Sequence, residues 1–271
     1  MNLLLVGGGR MGESFVRGLR NSKKLSSIAV AEIDNQRKIY LSKTFGLQVS
    51  SEESIHLQLK ELVPKSDIVA FCIKPQNFKS VSDSIRGIIN NTHLTMSIMA
   101  GINLNKICNS LNLQNAVRIM PNTPSQIGKG ISIWVSKNSL KPSEEVMVAH
   151  ILDSLGVSIK TLEEEDIDKA TAVSGSGPGF LFLIMETMYK TAKEIGLNDE
   201  MSKALISQTF LGSGELAVYS KKSFAELKNE VISPLGTTEA GINAMMSNGI
   251  EKAISEGIKK AFRRSQELND S

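Results

Sequence analysis

The glycine-rich segment VGGGRMG, residues 6 to 12, constrains the fold more than any other part of the chain. It directly follows the apolar run NLLLV, and the residues after it repeat apolar side chains at helical spacing. Gly7, Gly9 and Gly12 supply the G-x-G-x-x-G pattern of a strand-turn-helix unit. Such glycines permit a tight turn and the close approach of a pyrophosphate, whose charge is met by N–H groups at the helix N-terminus. The sequence therefore predicts a dinucleotide-binding unit at the start of the chain.

Short apolar runs alternate with helical patterns through the first 160 residues. The runs are NLLLV, SIAVA, DIVAFCI, HLTMSIM, AVRIM and ISIWV. This alternation is typical of a parallel sheet with crossover helices. After the acidic segment LEEED the strands stop, and apolar residues recur at helical spacing to the end of the chain. We expect an α/β Rossmann domain over residues 1–162, followed by an all-α domain over residues 163–271.

Charge and composition exclude several classes of function. The formal net charge of +3 is small for 271 residues, and no run of Lys and Arg is dense enough for a nucleic-acid or membrane surface. No apolar run approaches the length of a membrane span. Cys72 and Cys108 each lie among apolar residues, which favours reduced thiols in a cytoplasmic protein over a disulfide. The three histidines share no ligand spacing, so we expect no metal site.

Charged residues at the end of the second predicted strand bear on the choice of cofactor. Glu32 lies where a carboxylate accepts hydrogen bonds from the ribose hydroxyls of NAD and repels the 2'-phosphate of NADP. Asp34 adds to that repulsion, whereas Arg37 and Lys38, one helical turn further on, could turn inward. Solvated surface charge is the alternative for all four residues. The pattern leans towards NADH and leaves NADPH open.

Three later strands also end in segments suited to a cofactor wall, namely CIKPQNF, SIMAGIN and MPNTPSQIGKG. They bring Lys74, Pro75, Ala100 and Asn122 to the carboxyl edge of the sheet, where open α/β sheets bind ligands. The alternative is that these segments merely connect strands and helices. Because three of them converge, we favour the cofactor wall.

The second domain contains a small-residue segment, SGSGPG, before a helix that is apolar around most of its circumference. The segment, residues 174 to 179, is expected to be flexible and to let another backbone or a ligand approach closely. Phe180, Leu181, Phe182 and Leu183 give the helix more apolar surface than one core-facing stripe requires. We therefore expect part of this helix to face a partner subunit.

Seven segments together resemble the pyrroline-5-carboxylate reductase family. They occur in the family's order over nearly the whole chain, and they are VGGGRMG, IKP, IMAG, RIMPNTP, VSGSGPGF, ISPLGTTEAG and IKKAFRRSQEL. The resemblance implies reduction of 1-pyrroline-5-carboxylate to L-proline by NAD(P)H, which is the last step of proline biosynthesis. It also implies a helical dimerisation domain and an active site shared between two subunits of a homodimer, or of a larger ring of dimers.

The resemblance also implies site residues. Cofactor contacts are expected at Val6, Gly7, Gly8, Gly9, Arg10, Met11, Gly12, Ile73, Lys74 and Ala100, and Glu32, Pro75 and Asn122 complete that set. Substrate contacts are expected at Glu164, Asn229, Thr237 and Thr238, with Ser233 and Gly236 beside them.

A helix N-terminus explains how the second-domain residues act without a His, Cys or Lys. The backbone N–H groups of Gly236, Thr237 and Thr238 are expected to hold the substrate carboxylate, aided by the helix dipole. The Thr238 hydroxyl, the candidate catalytic group, would hydrogen-bond the ring nitrogen. The alternative is an ordinary capping box that uses Glu239.

Four positions depart from the family pattern. Glu32 stands where small or hydroxylic residues are often seen, and Glu53 aligns with a common cofactor-contacting Asn, which counts against NADP. Leu235 stands where the family usually has Gly, and a Leu would be strained if that position needs a positive φ. Asn229 stands where an Asp is usual. A protein that binds NAD(P) without turnover would fit the changes at Leu235 and Asn229. A β-hydroxyacid dehydrogenase is the other rival, but residues 180 to 186 lack the lysine that such an enzyme uses as its general acid.

Overall fold

The computed structural model describes residues 1–270, which form two compact units. The first unit comprises Met1–Ser176 together with the end of the chain from Ala261, and the second comprises Gly177–Lys260. The sequence places its domain boundary at residue 162, which stays a prediction. The last strand ends at Lys160, so the α/β character of the first part and the helical character of the second are confirmed.

The first unit is built on one eight-stranded sheet. Its strands are β1 (Asn2–Val6), β2 (Ser27–Ala31), β3 (Gln48–Val49), β4 (Ile68–Phe71), β5 (Leu94–Ser97), β6 (Val117–Met120), β7 (Gly130–Ser136) and β8 (Gly156–Lys160). Their order is β3-β2-β1-β4-β5-β6-β7-β8, and every neighbouring pair is parallel except β6 and β7. The order of the first strands is that of a Rossmann fold, in which the strand order reverses between β1 and β4.

Twelve α-helices occur in the described residues. They are α1 (Arg10–Leu19), α2 (Asn35–Phe45), α3 (Ile55–Leu62), α4 (Phe78–Ile85), α5 (Leu104–Leu111), α6 (Pro142–Asp153), α7 (Glu165–Ala170), α8 (Gly177–Glu194), α9 (Asp199–Tyr219), α10 (Phe224–Glu230), α11 (Thr237–Ser247) and α12 (Ile250–Asp270).

Helices cover both faces of the sheet because successive side chains of a strand point to opposite faces. In β1, Leu4 and Val6 join a core cluster with α3, α4 and α5, whereas Leu3 and Leu5 join a second cluster with α1 and α6. These four side chains are all essentially inaccessible to solvent. A strand buried on both faces has a continuous apolar sequence, which is why NLLLV could be predicted as a strand.

Two strands are absent from the sequence prediction, and one strand runs in an unexpected direction. β3 has only two residues, too few for a periodic signal. β8 lies at the edge of the sheet with Val157 and Ile159 exposed, so its sequence lacks the apolar run of a buried strand. β7 is antiparallel to β6, whereas a parallel sheet was expected.

The segment expected to be a flexible lead into the long helix is helical instead. Residues Thr171–Gly175 form a π-helix, and α8 begins two residues later at Gly177. At Gly175 a Cβ would lie 2.8 Å from the methyl carbon of the Met120 side chain. The close approach of another backbone or of a ligand stays a prediction.

The second unit consists of helices with little buried surface in a single chain. No residue of α8 is buried, and Leu181, Phe182 and Leu183 are each at least half exposed. On α9 only Ser202 and Ile206 are buried. None of the helices in the described part of the chain is both long enough and apolar enough to cross a membrane.

Candidate cofactor and substrate sites

The three motif glycines occupy three different environments in the turn between β1 and α1. Gly7 has a φ of +105°, and a Cβ there would lie 2.8 Å from the carbonyl oxygen of Cys72. A Cβ on Gly12 would lie 2.3 Å from the Gly7 carbonyl oxygen, so α1 can pack against the strand only without that atom. A Cβ on Gly9 would meet no protein atom within 4 Å. The tight turn, the close packing and the open approach for a pyrophosphate are therefore all present.

The N-terminus of α1 is open to an anion. Its N-cap is Gly9, and no side chain of the described residues caps the helix. The first backbone N–H groups of an α-helix have no partner within the helix, and the helix dipole adds partial positive charge there. Arg10 and Met11 form the first turn, so this end of α1 fits the phosphates of a dinucleotide.

Backbone N–H groups hold the carboxylate of Glu32 at the end of β2. One carboxylate oxygen accepts a hydrogen bond from Gly8 at 2.8 Å, and the other accepts from Ile33 at 2.7 Å and Asp34 at 3.0 Å. A carboxylate can accept about four hydrogen bonds, so it retains capacity for a ribose hydroxyl. Glu32 is therefore a fixed negative charge beside the glycine turn and not a solvated surface residue.

Gln58 holds the backbone of Glu32, a role that no sequence motif predicts. Its side chain is fully buried on α3. Its amide oxygen accepts from the Glu32 N–H and its amide nitrogen donates to the Glu32 carbonyl, both at 2.9 Å. A buried glutamine inside a helix pattern indicates a polar partner in the fold, but only the structure shows which.

The other charged residues near Glu32 are engaged within the protein. Asp34 caps α2 by accepting from the Arg37 N–H at 2.8 Å. Lys38 turns away, because its ammonium donates to the carbonyl of Glu52 at 2.6 Å. Arg37 turns inward to the glycine turn. Surface solvation is thus wrong as a description of Arg37 and Lys38, whereas Asp34 is an exposed capping residue.

A cleft of about 370 Å³ lies at the carboxyl ends of β1, β2 and β4. It is lined by Gly7, Gly9, Ala31, Glu32, Ile33, Ile55, Cys72, Ile73, Lys74, Asn77, Ser80 and Val81. Five predicted cofactor residues therefore share one cleft, and they are Gly7, Gly9, Glu32, Ile73 and Lys74. Ile55, Ser80 and Val81 were not predicted, since they belong to no motif, and Asn77 lies in the predicted wall segment CIKPQNF without having been singled out. Burial raises the pKa of the Cys72 thiol to about 12, so this residue is protonated and not nucleophilic at neutral pH.

Other predicted cofactor residues lie around the same edge of the sheet without lining this cleft. Val6 is buried at the end of β1, and Pro75 begins a short 3₁₀ turn after β4. Ala100 follows β5. Asn122 follows β6, where its amide oxygen accepts from Ile131 and its amide nitrogen donates to the Ser174 carbonyl. Contacts of these residues with a cofactor stay predictions.

Glu164 lies in the first unit and binds the protein itself. One carboxylate oxygen accepts from the Leu104 N–H at 2.7 Å, at the N-terminus of α5, and from the Arg118 guanidinium at 3.0 Å. The implied contact of Glu164 with substrate stays a prediction.

The predicted substrate residues of the second unit fall in one short segment. Asn229 lies near the end of α10, Ser233 begins a turn, and Thr237 and Thr238 open α11. In the turn the Gly236 N–H donates to the Ser233 carbonyl at 2.9 Å. This bond occupies one of the three N–H groups expected to receive a carboxylate, and it leaves those of the two threonines.

Leu235 has a φ of 57° and is 99% exposed. A turn with Pro at its second position and a positive φ at its third is typical of type II, which favours Gly at that third position. The positive φ under which Leu was expected to be strained is therefore present.

The N-terminus of α11 lacks the capping box that was the alternative explanation. Its N-cap is Gly236, which has no side chain, and the Glu239 carboxylate accepts from the Leu235 N–H at 2.7 Å instead. Among the described residues, the Thr238 hydroxyl makes no hydrogen bond within the chain. The free N–H groups at this helix start can bind a small anion. The Thr238 hydroxyl beside them can hydrogen-bond a second polar atom of the same ligand.

Two family models match the chain, one in each part. The model for "NADP oxidoreductase coenzyme F420-dependent" matches residues 2–101, and the model for "Pyrroline-5-carboxylate reductase dimerisation" matches residues 164–268. With the glycine turn, the fixed Glu32 and the cleft, these matches define an NAD(P)-dependent oxidoreductase with a dimerisation domain.

Relatives that match the whole chain show which family of NAD(P)-dependent oxidoreductases this is. The pyrroline-5-carboxylate reductase of Pseudomonas aeruginosa is 31% identical, over 98% of this chain and 96% of the relative. The structure of a pyrroline-5-carboxylate reductase from Coxiella burnetii matches with a TM-score of 0.88 and 27% identity, over 100% of this chain and 99% of that one. The Plasmodium falciparum pyrroline carboxylate reductase, solved with NADP bound, matches with a TM-score of 0.85 and 26% identity, over 99% and 98% of the two chains. The chain belongs to the pyrroline-5-carboxylate reductase family.

Proposed function

We propose that this protein reduces 1-pyrroline-5-carboxylate to L-proline with NAD(P)H. The observation that carries the proposal is the start of α11, where Thr237 and Thr238 present uncapped N–H groups and an unpartnered hydroxyl. The family's dimerisation model covers this segment. The full-length match to named pyrroline-5-carboxylate reductases supports the same substrate.

Residues of the first unit fit the cofactor. The α1 N-terminus and the glycine turn would hold the pyrophosphate, and Glu32 would accept hydrogen bonds from the adenosine ribose. The fixed negative charge of Glu32 would repel a 2'-phosphate, so we propose that NADH is used at least as well as NADPH. Bound nicotinamide supplies the hydride.

Residues of the second unit fit the substrate. The N–H groups of Thr237 and Thr238 would bind the carboxylate at the positive end of the helix dipole. The Thr238 hydroxyl would hydrogen-bond the ring nitrogen and orient the imine carbon. Because a protonated imine loses its charge when it accepts a hydride, the site needs no strong general base.

The exposed apolar surface of α8 supports a homodimer. Leu181, Phe182 and Leu183 are 50%, 61% and 63% exposed in a single chain, and burial of such side chains contributes about 1.5 to 3 kcal/mol each. We propose that a second copy covers this surface and that both subunits contribute to each active site, as a homodimer or a ring of dimers in the cytoplasm.

The test is product analysis with the purified protein. Incubation with 1-pyrroline-5-carboxylate and NADH should yield L-proline in amounts equal to the cofactor oxidised, as measured by chiral chromatography. A protein that binds NADH but forms no proline would instead be a nucleotide sensor, and the strained Leu235 would be part of the explanation. Oxidation of a β-hydroxyacid, with no reduction of the imine, would support the dehydrogenase alternative.

A further inference from the structure

The side chain of Arg37 reaches from α2 to the glycine turn. Its Nε donates to the carbonyl of Gly8, and its Nη2 donates to the carbonyl of Gly9 at 3.3 Å. Its guanidinium also lies 4.8 Å from the centre of the Tyr40 ring. The planar guanidinium carries several N–H donors in a fixed geometry and can bind several acceptors at once, whereas the single ammonium of a lysine cannot reproduce this arrangement.

The same guanidinium is held by a carboxylate at the start of α1. Nη2 of Arg37 donates to Glu13, which also accepts from Arg17 and Tyr40. Burial alone would raise the pKa of the Glu13 carboxyl, but hydrogen bonds from Arg37, Arg17 and Tyr40 outweigh burial and lower it. Glu13 is therefore ionised at neutral pH and fixes Arg37 in place. The side chains of Arg37 and Glu13 are 25% and 14% exposed.

The backbone of the glycine turn is thus hydrogen-bonded by two side chains, those of Glu32 and Arg37. Glu32 accepts the N–H of Gly8 at 2.8 Å, and Arg37 binds the carbonyls of Gly8 and Gly9. In a planar trans peptide the C=O and N–H point in opposite directions. The N–H groups of Gly9 and Arg10, which share peptide planes with those two carbonyls, therefore point away from Arg37. The open space beside Gly9 leaves room for an anion to approach the turn.

We propose that Arg37 is a positioning residue, which orients the turn for the pyrophosphate, and that it is not a receptor for the 2'-phosphate of NADPH. The Nε and Nη2 donors of Arg37 are already bound to the two carbonyls and to Glu13, so a bidentate contact with that phosphate through either nitrogen would break these bonds, and only Nη1 is left for it. Ordering the turn before the cofactor arrives removes part of the entropic cost of binding. The inference rests on the dinucleotide site proposed above.

The test uses two variants and a matched control. Arg37→Gln removes the guanidinium and its charge, and Arg37→Lys keeps the charge without the planar guanidinium. Arg17→Gln is the control, because Arg17 binds the same Glu13 carboxylate but neither glycine carbonyl. Hydrogen exchange of the amides from Gly8 to Gly12 is measured in the cofactor-free proteins. Kd is measured for NADH and for NADPH by fluorescence titration.

In Arg37→Gln, exchange in the turn should accelerate, and both Kd values should rise by the same factor, about tenfold for the loss of a charge-assisted contact. Arg37→Lys should change both quantities in the same direction and by less, and Arg17→Gln should resemble the wild type. A rise confined to NADPH would overturn the proposal, as would unchanged exchange and unchanged Kd. If Arg37→Gln does not fold, the exchange rates and Kd values of Arg37→Lys test the proposal. Failure of the wild type to bind either cofactor would refute the dinucleotide site, and the exchange comparison would still show whether Arg37 orders the turn.

Discussion

The guanidinium of Arg118 lies 3.0 Å from the carboxylate of Asp168, and the two side chains are only 2% and 7% exposed. Arg118 is in β6, and Asp168 is in α7. Arg118 also pairs with Glu164, so two carboxylates meet one buried cation. This ion pair joins the sheet to the helix that precedes the second unit.

Breaking the buried pair should be far more costly than breaking an exposed pair nearby. Arg118→Met should lower the free energy of unfolding by about 3 to 5 kcal/mol, because it leaves the buried Asp168 carboxylate without its cation. Lys169→Met removes an exposed pair with Glu165 and Asp166 and should cost about 0 to 1 kcal/mol. Urea unfolding measures both values. Equal effects of the two substitutions would contradict the role given to Arg118.

The end of α12 should stabilise the first unit. The Ser265 hydroxyl and the Asn269 amide donate to the two oxygens of Asp168 at 2.9 and 2.7 Å, and the amide oxygen of Asn269 accepts from Arg118. Asn269→Ala leaves buried polar atoms without partners and should cost about 1 to 3 kcal/mol. Arg264→Ala, which removes an exposed pair with Glu267, is the neighbouring control and should have little effect. Thermal unfolding distinguishes them, and an unaffected Asn269→Ala protein would show that the tail is not needed.

Replacing Leu235 should relieve strain. A left-handed conformation costs a non-glycine residue about 1 to 2 kcal/mol. Glycine avoids this cost, but its more flexible unfolded state lowers the stability by about 0.4 to 1 kcal/mol. Leu235→Gly should therefore stabilise the protein by a few tenths to about 1 kcal/mol. Leu235→Ala keeps the Cβ and should change little, since the side chain is 99% exposed. A Leu235→Gly protein that is less stable than Leu235→Ala in urea would refute the strain.

Thr238→Ala should act on turnover more than on folding. Loss of the proposed hydrogen bond to the ring nitrogen should cost about 1 to 3 kcal/mol of transition-state stabilisation. Steady-state kinetics should then show a lower kcat, and Thr238→Ser, which keeps the hydroxyl, should recover most of it. If Thr238→Ala has wild-type kinetics, the hydroxyl has no catalytic role.

If each active site is shared between two subunits, two inactive variants should restore activity to each other when they are mixed. A variant altered at Gly9 and a variant altered at Thr238 should each be inactive, and a mixture should regain partial activity as subunits exchange. Some hybrid sites then receive both intact halves. Absence of recovery, despite exchange demonstrated by mass spectrometry, would mean that each chain builds its own complete site.

Local sequence patterns predicted the elements that depend on local physics. The strand β1 and the glycine turn were recognisable because a doubly buried strand is continuously apolar and because only glycine fits at Gly7 and Gly12. The positive φ of Leu235 meets a condition that the family resemblance raised, since a glycine is usual at that position.

Features that depend on distant partners were not predictable. Glu164 belongs to an acidic segment typical of a solvated helix start, yet it binds Leu104 and Arg118, which are far away in sequence. Gln58 and Arg37 likewise gained their roles only when the fold brought them to Glu32 and to the glycine turn. The π-helix at Thr171–Gly175 was missed because small residues predict flexibility and not a particular helix.

The most direct measurement of reaction and cofactor together is kcat/KM for reduction of 1-pyrroline-5-carboxylate, with NADH and NADPH in parallel, for the wild type and for Glu32→Ser. The wild type should turn over the imine and use NADH at least as well as NADPH, because the Glu32 carboxylate is fixed beside the glycine turn. Glu32→Ser should shift the ratio towards NADPH, since it removes the charge that repels the 2'-phosphate. No turnover with either cofactor, or a large preference for NADPH that Glu32→Ser leaves unchanged, would contradict the proposal.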